Sequence, residues 1–356
     1  MPRSPSPSTE DPELSPGDDD EGEEYLTSDN PIPSDKYPAL KARVLGRIHF
    51  PFRNFFVLIE AGMEWDRATE ETQQAIPDDS AVRGYIDLLN MAPLLRDCID
   101  ERQDDLLELA NELDLGRRKA RAADISSLKK HMHIWDDVFK TGAFKPTPRT
   151  ALGFNNDTIG EQLCPPSHDW NDLRIREKIR SGGLKIDPED LPRFLWADPN
   201  DDDWDSFMKG PIVLKTVRHI FIGPTAGEDH NLSGVPSMSG NRKGNAKIHG
   251  IRRMTIYGLA YAAMLARFVL SSQLTFNAEP CSDSEFPHKL FYKHLINLMS
   301  EEMSKEERDA LLIWYDERVF GNDRDNADEP GGMVAGVKRG SMVERMKASA
   351  KARRGV

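Results

Sequence analysis

Apolar positions from residue 37 onward recur mostly at helical spacing, which predicts a mainly α-helical fold. The stretches PFRNFFVLIEAGMEW and SAVRGYIDLLNMA predict two helices, the first starting at Pro51 and the second ending before Pro93. The following stretch predicts one buried stripe with a polar face opposite, formed by Leu95, Ile99, Leu106, Leu109 and Leu113. The helical pattern continues beyond Gly116 in ARAADISSLKKHMHIWDDVF.

The apolar run from Met254 to Leu270 predicts a helix that is apolar on all sides. As a helix it would be roughly 25 Å long, against about 30 Å of bilayer hydrocarbon. We therefore expect it at the centre of a helical bundle, with no membrane contact. Arg267 lies near its end, and a buried arginine needs an acceptor, for which Asp124 is a candidate.

Two helices are expected to close the domain. Ser282 with Glu285, and Ser304 with Glu307, have the spacing of a capping box at a helix start. Gly321 is the expected stop of the second helix.

Residues 141–212 contain many prolines, which predicts long irregular loops. The three tryptophans in this stretch are expected to pin the loops to the helical body: Trp170, Trp196 and Trp204. Next, HIFIGPTAGEDH at residues 219–230 leads from a strand-like apolar stretch into a turn. We interpret Gly223 and Pro224 as the end of a core-anchored element.

Composition divides the chain into a single helical domain, residues 37–320, with a tail on each side. Residues 1–36 hold eleven acidic residues against Arg3 and Lys36, so they are expected to be a disordered Ser/Pro-rich tail. Residues 321–356 are expected to be a flexible linker with a basic end. The net charge of the whole chain is −13.

The three cysteines, Cys98, Cys164 and Cys281, are far apart and form no C-x-x-C pair. Residues 1–30 contain no apolar segment of the kind that a secretory signal requires. These features favour a reduced, intracellular protein, and the basic tail is compatible with nuclear import.

The residues of this sequence do not have the spacing that known catalytic and cofactor-binding motifs require. Glu228 and Asp229 follow the glycines of the 219–230 turn, where a phosphate loop needs Lys and Ser or Thr. His219, His230 and His249 are scattered, and nothing local requires them to converge on a metal ion. We therefore assign no catalytic residue, no metal ligand and no cofactor.

The clearest functional signal is a basic cluster downstream of the turn. Its members are expected to contact nucleic-acid phosphates without sequence preference: Arg242, Lys243, Lys247, Arg252 and Arg253. The leading hypothesis is a non-enzymatic intracellular interaction module that contacts nucleic acid or a protein partner, including a nuclear one, through this loop or the tails. The alternative is an enzyme whose site assembles from distant residues around 219–253.

Six blocks along the chain are similar to a known family: ARAADISSLKKHMHIW, GFNNDTIGEQLCP, DLPRFLWAD, VRHIFIGPTAG, IHGIRRMTIYGLAYAAMLARFVLSS and FYKHLINLM. Together they resemble, over about residues 40–320, an uncharacterised family of basidiomycete fungal proteins that often occur in many copies per genome. The resemblance implies no activity. Thr225 and Phe276 depart from the family pattern, which often has serine and tryptophan near these places. The resemblance draws attention to Arg121, Asp124, Lys129, Asn155, Pro165, Arg267, Ser271 and Ser272.

Overall fold

Helices dominate the part of the chain that the computed structural model describes, residues 37–68, 81–135, 137–139, 148–199, 204–236, 244–282 and 285–321. The first five are α1 (Tyr37–Ile48), α2 (Phe55–Asp66), α3 (Ala81–Met91), α4 (Leu95–Glu101) and α5 (Leu106–His131). The middle five are α6 (Asp157–Leu163), α7 (Leu173–Arg180), α8 (Pro211–Phe221), α9 (Pro224–Glu228) and α10 (Asn245–His249). The last three are α11 (Ile256–Leu270), α12 (His288–Asn297) and α13 (Lys305–Val319).

The prediction of a mainly α-helical fold is confirmed. Within the described ranges there is no β-strand, and one isolated antiparallel bridge joins Trp196 to Phe207. In the same ranges, no helix has both the length and the apolarity needed to cross a bilayer. The predicted tails, apart from Gly321, lie outside the described residues.

Helices α1 and α5 approach each other closely because each presents a glycine to the other. A Cβ atom on Gly116 would lie 2.2 Å from the carbonyl oxygen of Ala39, and one on Gly46 would lie 2.6 Å from Cγ of Arg117. A separate close contact joins α2 to α3, where Gly62 packs under the ring of Tyr85. These helices share the N-terminal hydrophobic core with α4.

Helix α11 is the central helix, and residues 258–270 of it are all buried. This confirms the interpretation of the apolar run as the middle of a bundle. Its start is capped by Thr255, whose hydroxyl accepts from the N–H of Gly258 at 3.0 Å. The same hydroxyl donates to the carbonyl of Ile48 at 2.8 Å, which ties the start of α11 to the end of α1.

Three predicted helix starts can be compared with the structure. Helix α2 begins at Phe55 rather than Pro51, because the side chain of Asn54 accepts from the N–H of Val57 and caps it. The capping box at Ser304 is confirmed. The one at Ser282 is wrong, since helix α12 begins only at His288.

The remaining predictions concern breaks between helices. The stripe from Leu95 to Leu113 is divided between α4 and α5 by a short turn. The strand-like interpretation of residues 219–222 is wrong, because His219 lies within α8. Helix α8 ends at Phe221 and Gly223 has a φ of 139°, so the predicted end of a core-anchored element at Gly223 is confirmed. Pro224 does not continue this break, because it is the first residue of α9.

The proline-rich stretch is partly helical, since it contains α6 and α7. Trp170 is buried there and packs on Gly160, and its indole N–H donates to the carbonyl of Asp157 at 2.8 Å. This contact pins the loop between α6 and α7 to α6.

Candidate anion-binding cleft

Three of the five predicted nucleic-acid contacts lie in the described part of the chain. Lys247 is on α10, and Arg252 and Arg253 follow in the segment that joins α10 to α11; all three are exposed. Arg242 and Lys243 lie outside the described residues.

The segment between α10 and α11 is held at both ends. Gly250 adopts a left-handed conformation with a φ of 66°, which ends α10 and turns the chain. The N–H of Ile251 donates back to the carbonyl of Ala246 at 2.8 Å. Further on, the N–H of Met254 donates to the carboxylate of Asp316 at 2.7 Å. The backbone that carries Arg252 and Arg253 is therefore fixed against α13.

A cleft of about 350 Å³ lies between this segment and α1. Aliphatic and thioether side chains form its floor: Val44, Leu45, Ile48, Met91 and Ile251. Basic side chains form its rim, Lys41, Arg252 and Arg253, and the more deeply buried His249 also lines it. We call this feature the cationic cleft.

The cations of the rim are not neutralised within the described residues. Lys41, Arg252 and Arg253 make no hydrogen bond or ion pair there, and the Lys41 ammonium lies 5.8 Å from the centre of the Tyr37 ring. Burial lowers the pKa of Lys41. Burial also lowers the pKa of His249 to about 3, with further lowering by Arg47, Lys41 and Arg43. His249 is therefore a neutral imidazole at physiological pH within a positive field.

A buried ionic network lies behind the cleft. Asp124 on α5 accepts from Nε and Nη2 of Arg47 on α1, both at 2.8 Å, and from the hydroxyl of Tyr261 on α11 at 2.8 Å. Arg47 is 3% exposed and Asp124 is 6% exposed. The network joins α1, which lines the cleft, to α5 and α11, and it shows that Asp124 is bound by Arg47 and Tyr261 rather than by Arg267. No local pattern in the sequence indicates the roles of Arg47 and Tyr261.

Arg267 is buried elsewhere. Its guanidinium carbon lies 3.1 Å from the centre of the Phe286 ring and 5.9 Å from that of Phe291. Burial lowers its pKa to about 9, so it remains charged at neutral pH. The expected pairing of Arg267 with the carboxylate of Asp124 is therefore wrong, and the faces of aromatic rings stabilise this cation instead.

Other residues singled out by the resemblance have structural contacts. The guanidinium of Arg121 lies over the ring of Phe276 at 4.8 Å, and the ammonium of Lys129 lies over Phe268 at 5.3 Å. The side-chain amide of Asn155 donates to the carbonyl of Thr150 at 2.9 Å. These contacts hold the end of α11 and its neighbouring turns.

A second polar cluster surrounds the 219–230 turn. The hydroxyl of Ser127 and Nε2 of His219 are 2.8 Å apart, and Nδ1 of His131 and Oε1 of Glu228 are also 2.8 Å apart. The Lys215 ammonium lies 3.0 Å from the carboxylate of Asp137. Burial lowers the pKa of His219 to about 3, and the neighbouring His131 lowers it further. Nδ1 of His219 is buried and has no hydrogen-bond partner among the described residues.

The three histidines near this turn are in different environments. His219 contacts Ser127, while Nδ1 of His230 lies 3.6 Å from the carboxylate of Asp137. His249 lies in the cationic cleft. Among the described residues, no group of three or more His, Cys, Asp or Glu side chains is arranged to hold a metal ion.

A comparison with known protein families identifies the family to which most of the helical region is similar. The model of a family of unknown function, DUF6698, matches residues 115–320. The chain belongs to this family. No curated protein and no solved structure matches the chain.

The DUF6698 match contains all six sequence blocks on which the resemblance rests. The basidiomycete source, the multi-copy occurrence and the extension of the resemblance to residues 40–114 stay predictions. Within the cationic cleft, residues 249–253 belong to the DUF6698 region, whereas Lys41 and Met91 precede it. The cleft is therefore built jointly by the family region and the helices before it.

Proposed function

We propose that the chain is a binding module whose cationic cleft holds single-stranded nucleic acid, with phosphates on the rim and an unstacked base on the floor. One observation carries the proposal. Lys41, Arg252 and Arg253 surround one concave site, and none forms an ion pair with a described residue. In a chain of net charge −13, such a local cluster supplies a strong attraction for phosphate groups.

The shape of the cleft favours a single strand over a duplex. The floor is apolar, and the bases of a single strand can be splayed out onto an apolar surface. A regular duplex keeps its bases stacked and offers phosphates alone to a cleft of this kind. We therefore expect a single strand to bind more tightly than a duplex of equal length.

Fluorescence anisotropy with a labelled single strand of about 12 nucleotides tests the proposal. The variant Lys41→Gln/Arg252→Gln/Arg253→Gln removes the three rim charges. Each exposed contact contributes about 0.5–1 kcal/mol, so affinity at low salt should fall roughly 10- to 100-fold. The slope of log affinity against log salt should fall by about 2, because each lost phosphate contact contributes about 0.7.

A matched control removes three exposed lysines outside the cleft, Lys178, Lys185 and Lys305. The glutamine triple variant at these positions has the same net charge as the rim variant. Equal losses in both variants would show that binding depends on overall charge, and an absence of binding at about 50 mM salt would refute the proposal.

A second candidate function is enzymatic catalysis, and the position of Ser127 favours it. Its hydroxyl lies 2.8 Å from Nε2 of His219, the distance expected between a nucleophile and its general base. Against this, Nδ1 of His219 accepts or donates no hydrogen bond within the described part of the chain, so no carboxylate there orients the ring. Labelling by a fluorophosphonate probe, lost in Ser127→Ala and kept in Ser126→Ala, would support the enzyme. Equal labelling of both variants would exclude a nucleophilic role for Ser127.

We further propose that the module acts inside the cell, with the nucleus as one location. Two features support this. Cys98, Cys164 and Cys281 are all free thiols, as expected for a reducing compartment. The basic residues after residue 337 have the composition of a nuclear import signal. Imaging of a fluorescent fusion, with and without glutamine at Arg353 and Arg354, tests the location.

A further inference from the structure

We propose that an acidic segment of the same chain, Glu23-Glu24-Tyr25-Leu26, docks in the cationic cleft and competes there with nucleic acid. The competition rests on the proposed function, whereas the docking does not. Three observations support this occupant: the chemistry of the cleft, the composition of residues 1–36, and the position of Tyr37 at the start of α1.

The cleft combines two kinds of surface. Its rim carries three cations without ion-pair partners in the described part of the chain, and its floor is aliphatic. A free phosphate would use the rim alone and leave the floor exposed to water. An occupant that uses both surfaces needs acidic groups next to a bulky apolar anchor.

Residues 1–36 contain one stretch with this chemistry. Tyr25 and Leu26 are the only adjacent pair of bulky apolar residues in this range, and Glu23 and Glu24 precede them directly. The acidic run Asp18–Glu21 lies a few residues earlier. The apolar pair matches the floor of the cleft, and the glutamates match its rim.

The connection to α1 is long enough for this docking. Lys41 lies four residues after Tyr37, which is about 6 Å along the helix. Leu26 precedes Tyr37 by eleven residues, which span up to about 36 Å when extended. Tethering through a connection of this length gives an effective concentration in the mM range, so even a weak contact would be populated.

Photo-crosslinking in the full chain tests the docking directly. A benzophenone amino acid is placed at Leu26, written Leu26→p-benzoylphenylalanine, and the crosslinked peptides are mapped by mass spectrometry. We expect crosslinks to Met91 and to α1 residues of the floor, and a loss of at least half of them when Lys41, Arg252 and Arg253 are replaced by Gln. The same probe at Leu14 is the matched control.

Two crosslinking results would overturn the docking. One is a pattern from Leu26 that matches the pattern from Leu14. The other is crosslinking only between chains, found by mixing the probe-bearing chain with isotope-labelled chain, which would assign the cleft to a second copy.

Nucleic-acid affinity provides the independent readout. If the segment occupies the cleft in about 80–90% of molecules, Tyr25→Ala/Leu26→Ala should bind the single strand roughly five- to tenfold more tightly. Unchanged affinity together with cleft crosslinks refutes the competition. Cleft crosslinks without nucleic-acid binding by either the original chain or Tyr25→Ala/Leu26→Ala support the docking and refute the proposed function. Nucleic-acid binding without cleft crosslinks supports the proposed function and refutes the docking.

Discussion

Replacing Asp124 by Asn should strongly destabilise the protein. The carboxylate accepts two hydrogen bonds from Arg47 and one from Tyr261, all at 2.8 Å, and both ionic side chains are more than nine-tenths buried. The substitution removes the negative charge beside Arg47, whereas the desolvation free energy of the buried Arg47 guanidinium remains. Losses for such a change are about 3–5 kcal/mol in the free energy of unfolding.

Two further variants separate the contributions to this network. Tyr261→Phe removes a single hydrogen bond to a charged group and should cost about 1.5–3 kcal/mol. Arg47→Met/Asp124→Leu removes both charges, so it should recover at least half of the loss in Asp124→Asn, because the desolvation cost disappears with the pair.

Urea denaturation followed by far-UV circular dichroism measures these losses, since the described fold is helical. Asp309→Asn is the matched control, because Asp309 is exposed on α13 and the change should stay within about 0.5 kcal/mol. A loss of less than about 1 kcal/mol in Asp124→Asn, or a double variant as unstable as Asp124→Asn, would refute the role of the buried ion pair.

Three further predictions concern stability. The pKa of His219 is about 3 in the folded protein, so between about pH 6.5 and pH 5 its imidazole takes up a proton in the unfolded chain but not in the fold, and the free energy of unfolding falls. His219→Gln should reduce this fall by about 1.5 kcal/mol, measured by urea denaturation at both pH values. An unchanged fall would contradict the burial of a neutral imidazole. Gly116→Ala would bring Cβ to 2.2 Å from the carbonyl oxygen of Ala39, so thermal melting should reveal a loss of about 1–3 kcal/mol, and a neutral result would mean that α1 and α5 are further apart. Ser304→Ala removes the cap of α13 and should cost about 1 kcal/mol in urea denaturation, whereas exposed Ser126→Ala should cost far less.

Local sequence patterns predicted several helices correctly because the forces that start and stop a helix act over a few residues. The helix ending at Met91, the buried helix α11 and the capping box at Ser304 are of this kind. The errors arose where two local signals competed. Asn54 rather than Pro51 starts α2, and α12 begins only after Pro287.

The candidate site was only half predictable. The basic residues Lys247, Arg252 and Arg253 stand out in the sequence because they are clustered. Their partner in the cleft, Lys41, lies more than 200 residues earlier and belongs to no motif. Likewise, the sequence suggested Arg267 as the partner of Asp124, whereas the structure brings Arg47 from α1 to that position.

The sequence by itself determined where helices form and where charge concentrates, because both depend on neighbours a few residues apart. The tertiary structure alone decided which distant side chains meet. The close packing of α1 on α5 through Gly46 and Gly116 places Arg47 against Asp124 and puts Lys41 on the rim of the cleft. Such a contact depends on the shapes of both helices together, which no single stretch of the chain encodes.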